Sequence, residues 1–125
     1  MIVGCGIDLV RISRIKKIIA KWDDCFLKRI YTQIEIDYCE SKNERRYQSY
    51  AGYFAAKEAW VKAIGTGFRE IKWKEIEIRN NNMGKPEIYL SNRLNKIIKE
   101  KGIINIQLSI SHVEGLAVAL VIIEN

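Results

Sequence analysis

The segment FAAKEAWVKA, residues 54–63, predicts the central helix of the fold. Its large apolar side chains, continued by Ile64, recur at three- and four-residue steps with alanines between them, which is typical of a helix packed closely against other elements. The same helix nevertheless carries Lys57, Glu58 and Lys62. Glu58 and Lys62 are four residues apart and share a face, so they form either an exposed ion pair worth roughly a few tenths of a kcal/mol or part of a site.

The segments around this helix predict an α+β fold over residues 1–125, with a mainly antiparallel sheet packed against helices in one domain. Residues 2–7 are typical of a buried strand. After Asp8, the apolar residues Leu9, Ile12, Ile15 and Ile19 predict a helix that ends near Trp22. The other predicted elements are a helix opened by the capping box Thr32–Glu35, strands at 75–79 and 87–90, a helix capped by Ser91 and closed by Gly102, and two strands within 104–123.

Composition is that of an ordinary globular protein and favours anionic partners. Of the 125 residues, 48% are hydrophobic and 29% charged, and the formal net charge is +6. This charge suits nucleic acid, phosphorylated small molecules or an acidic protein, without choosing among them. No apolar run approaches the roughly 20 residues of a membrane span, and the N-terminus lacks the features of a secretory signal. Three cysteines without metal-ligand spacing predict reduced thiols in the cytoplasm, and no membrane partner is expected.

Two carboxylates from distant parts of the chain are candidate metal ligands. Asp8 follows the opening strand, where it is either a helix N-cap or a ligand. Glu58 lies in a helix otherwise rich in alanine and aromatic residues, where a carboxylate needs a compensating charge. Mg²⁺ takes one or two protein carboxylates and completes its shell with water and phosphate oxygens. With Lys62 one turn from Glu58 to stabilise phosphate charge, the three residues indicate metal-assisted phosphoryl chemistry.

The chain has one histidine, His112, which lies in the segment SISHV before a predicted turn. It is either a ligand contact or a surface residue bonded to the backbone. One His without paired Cys is a poor zinc site, no G-x-S-x-G elbow accompanies it, and the chain has no P-loop. The glycines of AIGTGF, residues 63–68, either cap the long helix or let backbone approach a ligand.

Four motifs occur in order: GIDLVRI (6–12), AGYFAAKEAWVKAIGTG (51–67), GKP (84–86) and SISH (109–112). With the T-x-x-E at Thr32–Glu35, they closely resemble the small bacterial 4'-phosphopantetheinyl transferases of the holo-acyl-carrier-protein synthase family, over essentially the whole chain. The resemblance implies an α+β fold and homotrimers with active sites at subunit interfaces. It also implies transfer of 4'-phosphopantetheine from coenzyme A to a serine of apo-acyl carrier protein, with release of 3',5'-ADP, in support of fatty acid biosynthesis.

The resemblance further assigns roles to residues of this sequence. Asp8 and Glu58 match the family's Mg²⁺ ligands, and Lys62 matches the lysine that contacts the phosphate, so Glu58 and Lys62 are the expected catalytic residues. His112 and Arg45 match positions near the adenosine 3'-phosphate. The full set of expected coenzyme A contacts is Arg45, Lys62, Gly65, Thr66, Gly67, Ser111 and His112.

One position departs from the family pattern. Tyr53 stands where the family usually has Arg immediately before FAAKEA. Tyrosine cannot replace a charged, multidentate phosphate donor. Either Arg45 or Arg46 compensates, or coenzyme A binds more weakly.

Two expectations concern mechanism and partner. A serine nucleophile needs a base, and we expect Glu58 to be both a metal ligand and the acceptor of the serine proton through water. Carrier proteins of this kind are acidic, and we expect the basic face of the first helix to dock them through Arg14, with Arg11, Lys17 and Lys21 nearby.

Two other classes of protein share some of these sequence features. A nucleic-acid-binding module would also be basic and would use some of the three Trp and six Tyr for stacking. The aromatic spacing is that of a core, however, and no RNP1 signature is present, so no nucleic acid partner is expected. A non-catalytic relative is supported by Tyr53 alone, and the retention of Asp8, Glu58 and Lys62 argues against it.

Overall fold

The computed structural model describes residues 1–65 and 70–125. Its elements in chain order are β1 (Ile2–Arg11), α1 (Ile12–Trp22), α2 (Asp24–Ile30), α3 (Gln33–Glu40), α4 (Arg46–Ile64), β2 (Ile76–Asn80), β3 (Pro86–Leu90), α5 (Asn92–Glu100), β4 (Asn105–Val113) and β5 (Leu116–Glu124). Short 3₁₀ helices at Asn43–Arg45 and Trp73–Glu75 precede α4 and β2. A three-stranded sheet has the order β1–β5–β4, and β2 pairs with β3. All these pairs are antiparallel, which confirms the predicted fold class.

Helix α4 forms the centre of the core, as its sequence predicts. Ala55, Ala59 and Trp60 are fully buried, because small side chains let the neighbouring elements approach closely. The inward side chains of β5 meet this helix and are buried as well, namely Ala117, Ala119, Val121 and Ile123. The helix ends at Gly65, which adopts a left-handed φ of 83°. The predicted contacts Thr66 and Gly67 lie outside the described residues.

Strand β1 lies with its backbone directly against α4. A methyl group at Gly6 would overlap the carbonyl oxygen of Ala59, and one at Gly4 would overlap that of Ala63. Glycine is therefore required at both positions for this close approach. Since successive strand residues point to opposite faces, Asp8 faces the same helix as Gly4 and Gly6.

The start of the chain differs from the prediction. Strand β1 extends to Arg11, because its ladder with β5 continues to the pair Arg11–Leu116. Asp8 is therefore a strand residue and not a helix N-cap, and Arg11 precedes α1 instead of lying within it. Leu9 is 61% exposed on the outward side of the strand, so its spacing from Ile12 is not a helical repeat.

Other boundaries follow local sequence signals more closely. Thr32 and Glu35 form the predicted capping box of α3, and the Ser91 side chain caps α5. Helix α2 was not predicted, and the strand expected at 75–79 begins at Ile76 because Trp73–Glu75 form a 3₁₀ turn. Among the described helices, none has the combination of length and hydrophobicity that crossing a membrane requires.

The three-stranded sheet turns its second face away from α4, and this outer sheet face is apolar. Val3, Ile7, Leu9 and Val113 lie there with 48–64% of their surface exposed. Contiguous apolar surface of this kind typically marks an interaction site.

Candidate active site

Asp8, Glu58 and Lys62 converge where β1 crosses α4, and we call them the Asp8–Glu58–Lys62 cluster. Lys62 Nζ donates a hydrogen bond to Asp8 Oδ1 at 3.1 Å and another to the Ile7 carbonyl oxygen at 3.0 Å. Helical side chains lean toward the N-terminus of their helix, so Lys62 extends back along the turn that carries Glu58. Of the two alternatives for Glu58 and Lys62, the simple ion pair between them is not formed, because Lys62 pairs with Asp8.

Glu58 is a half-buried carboxylate in a mixed electrostatic field. Burial raises its pKa above the ordinary value, and the negative charge of Asp8 raises it further. The charges of Lys62 and Arg14 act in the opposite direction. Among the residues that the structure describes, none hydrogen-bonds the Glu58 carboxylate. As far as residues 1–65 and 70–125 are concerned, the Glu58 carboxylate is available to accept a proton or to bind a cation.

The donor set of the cluster fits a hydrated Mg²⁺ ion. Within residues 1–65 and 70–125, no three His, Cys, Asp or Glu side chains surround a common point, as most zinc sites would require. Mg²⁺ needs fewer protein ligands, since one or two carboxylates with phosphate oxygens and water suffice. The Lys62 ammonium lies against Asp8, so this carboxylate has a positively charged partner.

His112 lies in a second region, at a small cavity on another side of α4. This His112 pocket has a volume of about 180 Å³ and is lined by Gly52, Tyr53, Asn80, Pro86 and His112, among others. His112 Nε2 donates to the Gln48 carbonyl oxygen at 3.0 Å, which leaves Nδ1 as the ring nitrogen available to a ligand. A methyl group at Gly52 would lie 3.0 Å from His112 Nε2, so glycine makes room for the ring.

Tyr53, at the position of the family arginine, is buried in the wall of this pocket. Its ring stacks on Tyr38 with centroids 5.6 Å apart, and its hydroxyl donates to Asn80 Oδ1. Arg46 lies two helical turns earlier, where its guanidinium donates to the Asn43 carbonyl oxygen and to the Tyr47 hydroxyl. The position is therefore neutral, and Arg46 does not replace the missing charge within one chain.

Helix α4 separates the cluster from the His112 pocket. Tyr53 and Lys62 are nine residues apart, which corresponds to roughly 13 Å of rise and two and a half turns, so they face opposite sides of the helix. Arg45 is exposed at the far N-terminal end of α4. Ser111 precedes His112 in β4 and therefore points to the outer sheet face instead. One chain brings Asp8, Glu58 and Lys62 together, but it does not bring Arg45, Ser111 or His112 to them.

The buried ion pair between Lys57 and Glu35 was not predicted from the sequence. Lys57 Nζ donates to Glu35 Oε1 and to the Ile30 carbonyl oxygen, both at 2.7 Å, and Glu35 Oε2 accepts from the Ile78 amide at 2.8 Å. Burial lowers the pKa of Lys57 and raises that of Glu35, while their attraction opposes both shifts. A lysine inside an alanine-rich buried segment was the available signal, because such a charge requires a partner.

Three of the basic residues expected to dock a carrier protein lie on α1, the helix that forms one side of an open groove. Arg14, Lys17 and Lys21 are exposed on α1, and Arg11 is exposed at the end of β1. Beside them, the α1 groove has a volume of about 370 Å³ and is lined by Ile18, Trp22, Cys25, Phe26 and Arg29. Trp22 is 57% exposed there, so the surface combines positive charge with a large apolar side chain.

Known proteins are similar to this chain over nearly its whole length. The family model described as the 4'-phosphopantetheinyl transferase superfamily matches residues 4–121. The holo-acyl-carrier-protein synthase of Halothermothrix orenii is 45% identical over 122 residues, which cover 98% of this chain and 97% of that protein.

Solved structures give the same result. The crystal structure of holo-acyl-carrier-protein synthase from Neisseria meningitidis is 36% identical and covers 100% of both chains with a TM-score of 0.92. That from Helicobacter pylori, in complex with coenzyme A, is 35% identical with a TM-score of 0.84 and covers 96% of this chain and 99% of its own. The chain therefore belongs to the holo-acyl-carrier-protein synthase family of 4'-phosphopantetheinyl transferases, and it is an enzyme.

Proposed function

We propose that this enzyme transfers the 4'-phosphopantetheine group of coenzyme A to a serine of apo-acyl carrier protein in a Mg²⁺-dependent reaction that supports fatty acid biosynthesis. The observation that carries the proposal is the convergence of Asp8 with Glu58 and Lys62, which lie about fifty positions later in the chain. Lys62 Nζ is 3.1 Å from Asp8 Oδ1. Two carboxylates and an ammonium group are the ligands and the charge that a bound diphosphate with its metal needs. The relative from Helicobacter pylori was solved with coenzyme A, which supports this substrate.

In the proposed reaction, the residues of the cluster bind the metal, stabilise phosphate charge and accept a proton. A bond forms between the serine oxygen and the β-phosphorus of coenzyme A, and the bond from that phosphorus to the oxygen of the departing 3',5'-ADP breaks. Asp8 and Glu58 would hold Mg²⁺, which when bound neutralises diphosphate charge. Lys62 stabilises the phosphoryl oxygens, and Glu58 takes the serine proton through a water.

The nucleotide end of coenzyme A is assigned to the His112 pocket of a neighbouring subunit. The 3'-phosphate and the 5'-diphosphate are attached to the same ribose, whereas α4 stands between the cluster and the His112 pocket of one chain. A single coenzyme A therefore contacts both regions only if two subunits contribute. This geometry supports active sites at subunit interfaces, and the resemblance gives the homotrimer as the assembly.

The outer sheet face supports the same assembly. Ile7 and Leu9 are 59% and 61% exposed on β1, beside the half-buried β5 side chains Val118 and Leu120. Covering such a surface with another subunit removes apolar area from water. Ser111 lies on this face, so it would approach coenzyme A only from the assembled interface.

The α1 groove is the proposed docking surface for the acidic carrier protein. Arg14, Lys17 and Lys21 supply positive charge, and Trp22 supplies a large apolar contact area at the groove. Charge complementarity of this kind accelerates association, while a central aromatic side chain contributes much of the affinity. Arg14 also acts electrostatically on Glu58, so the basic residues of α1 reach toward the cluster.

We assign the chain as a single transferase domain over residues 1–125 that works in the cytoplasm. Cys5, Cys25 and Cys39 are all free thiols, and this supports a reducing compartment.

The proposal is tested by incubating the protein with coenzyme A, Mg²⁺ and an apo-carrier protein and then weighing the carrier by mass spectrometry. We expect a mass gain equal to one phosphopantetheine group, abolished by a chelator and by Asp8→Asn. Lys96→Met, which removes an exposed charge on α5, serves as a variant that should retain activity. A carrier of unchanged mass under saturating coenzyme A and Mg²⁺ would refute the proposed reaction.

A further inference from the structure

We propose that Lys62 occupies the cation position at Asp8 until metal and diphosphate arrive together, so that it couples their binding. This inference rests on the proposed Mg²⁺–diphosphate site and adds a second role to Lys62. In this role the residue acts before any phosphate contact, as an internal counterion that the metal must displace.

The geometry of the free site supports this role. Lys62 Nζ has two acceptors on β1, the Asp8 carboxylate at 3.1 Å and the Ile7 carbonyl oxygen at 3.0 Å. Both acceptors belong to a strand that Gly4 and Gly6 hold against α4. The ammonium is therefore positioned by two acceptors on the same strand.

The exposure of the pair allows it to open. The Lys62 side chain is 53% exposed, whereas that of Asp8 is 16% exposed. An ammonium group that is half in water can leave its partner and regain its hydration, so such pairs are weak. The buried pair Lys57–Glu35 has 0% side-chain exposure on both sides and lacks this freedom. Lys62 is thus held in place but remains displaceable.

Lys62 and a divalent cation compete for the Asp8 carboxylate because both are positively charged and would lie close together. A divalent cation bound by Asp8 would lie within a few ångströms of the ammonium, where like charges repel. A metal that binds alone must therefore break the Asp8–Lys62 pair without giving Lys62 a new partner. A diphosphate provides that partner, so each ligand makes the binding of the other more favourable by the same factor.

The test measures metal binding directly and does not depend on turnover. Mn²⁺ is titrated into the full-length protein without nucleotide, and free Mn²⁺ is followed by electron paramagnetic resonance. We expect Lys62→Met to lower the dissociation constant for Mn²⁺ roughly three- to tenfold, because the competing cation is gone. Lys62→Arg keeps the charge and should bind Mn²⁺ as the wild type does. Lys96→Met removes the same unit of charge on the distant α5 and controls for net charge.

A second titration, at saturating coenzyme A, measures the coupling. We expect coenzyme A to tighten Mn²⁺ binding more in the wild type than in Lys62→Met, after correction for Mn²⁺ bound by coenzyme A alone. If the wild type binds Mn²⁺ with coenzyme A but Lys62→Met binds Mn²⁺ alone no more tightly than the wild type, the counterion role is overturned and the proposed function stands. If the wild type binds Mn²⁺ under neither condition, the metal site itself is wrong and both proposals fall.

Discussion

Lys57 and Glu58 are neighbours on α4, yet they belong to two charged clusters with opposite properties. Lys57 has 0% side-chain exposure, as does its partner Glu35, and hydrogen bonds to several backbone groups complete the pair. Glu58 is half-buried, close to another carboxylate, and has no hydrogen-bond partner among the described residues. Removing one partner of a buried pair leaves an uncompensated charge and destabilises the fold, whereas a carboxylate without hydrogen bonds is available to bind a ligand. The following predictions test this distinction.

The largest expected effect is on stability, from Lys57→Met. The substitution leaves the Glu35 carboxylate buried without its counterion, and breaking such a pair typically costs about 3–5 kcal/mol. Urea unfolding should show a free energy of unfolding lower by this amount. A loss below about 1 kcal/mol would mean that the buried pair does not stabilise the fold.

The double variant Lys57→Met/Glu35→Met refines this measurement. Removing both charges eliminates the unpaired carboxylate, so part of the lost stability should return. Full recovery is not expected, because the backbone amides of Thr32 and Ile78 lose their acceptor on Glu35. A double variant less stable than either single variant would contradict the ion-pair interpretation.

Glu58→Gln should affect activity and not stability. We expect kcat at saturating Mg²⁺ to fall at least roughly a hundredfold, the usual loss for removal of a general base. Since the substitution also relieves repulsion with Asp8, the free energy of unfolding should stay within about 0.5 kcal/mol of the wild type. Near-normal turnover would exclude the combined role of Glu58 as metal ligand and proton acceptor.

Arg14→Glu tests whether the basic surface of α1 beside the cluster binds the carrier protein. We expect the KM for the carrier protein to rise about tenfold, because a charge opposite in sign now faces the acidic partner. The KM for coenzyme A should change much less. Lys16→Glu is the matched control, since the Lys16 ammonium lies over the Tyr47 ring at 5.4 Å instead of at the groove. Equal changes in both KM values for Arg14→Glu would count against the docking surface.

The smallest expected effect concerns a third carboxylate, Glu75, which is well bonded but not deeply buried. Hydrogen bonds from Arg93 lower its pKa to about 2, with help from the Lys72 amide and the Ser91 hydroxyl. Because the folded pKa is depressed, the stabilisation is complete above the ordinary value of 4.5 and is lost as the pH falls toward 2. Glu75→Gln should therefore show a shallower loss of stability than the wild type in acid unfolding curves. Parallel curves would mean that the exposed network contributes nothing.

The sequence predicted most of the fold because its local signals are strong. The alanine-rich α4, the Thr32–Glu35 capping box and the Ser91 cap each depend on neighbours within one or two turns. The length of β1 could not be predicted in the same way, since its last residues are held extended by pairing with β5, more than one hundred positions away.

The candidate site was predicted in composition but not in arrangement. Two acids and a lysine indicated a metal and a phosphate, and the structure brings these three side chains together. Lys62 bonds Asp8 instead of Glu58 because of the way β1 crosses α4. The spacing of residues along the sequence gives no information about this crossing. The position of His112 on the other side of α4 is likewise a property of the tertiary structure. It is the reason why the proposed coenzyme A site combines residues of two subunits.

The glycines of β1 have a consequence for how tightly a ligand can be held. Because Gly6 lets the backbone of β1 contact the backbone of α4 at Ala59, the two segments that carry Asp8 and Glu58 are held close together. An incoming ion therefore meets acids that are already gathered, and little chain entropy is lost when it binds. Glycine at positions 4 and 6 thus favours ligand binding at a site that neither residue contacts through a side chain.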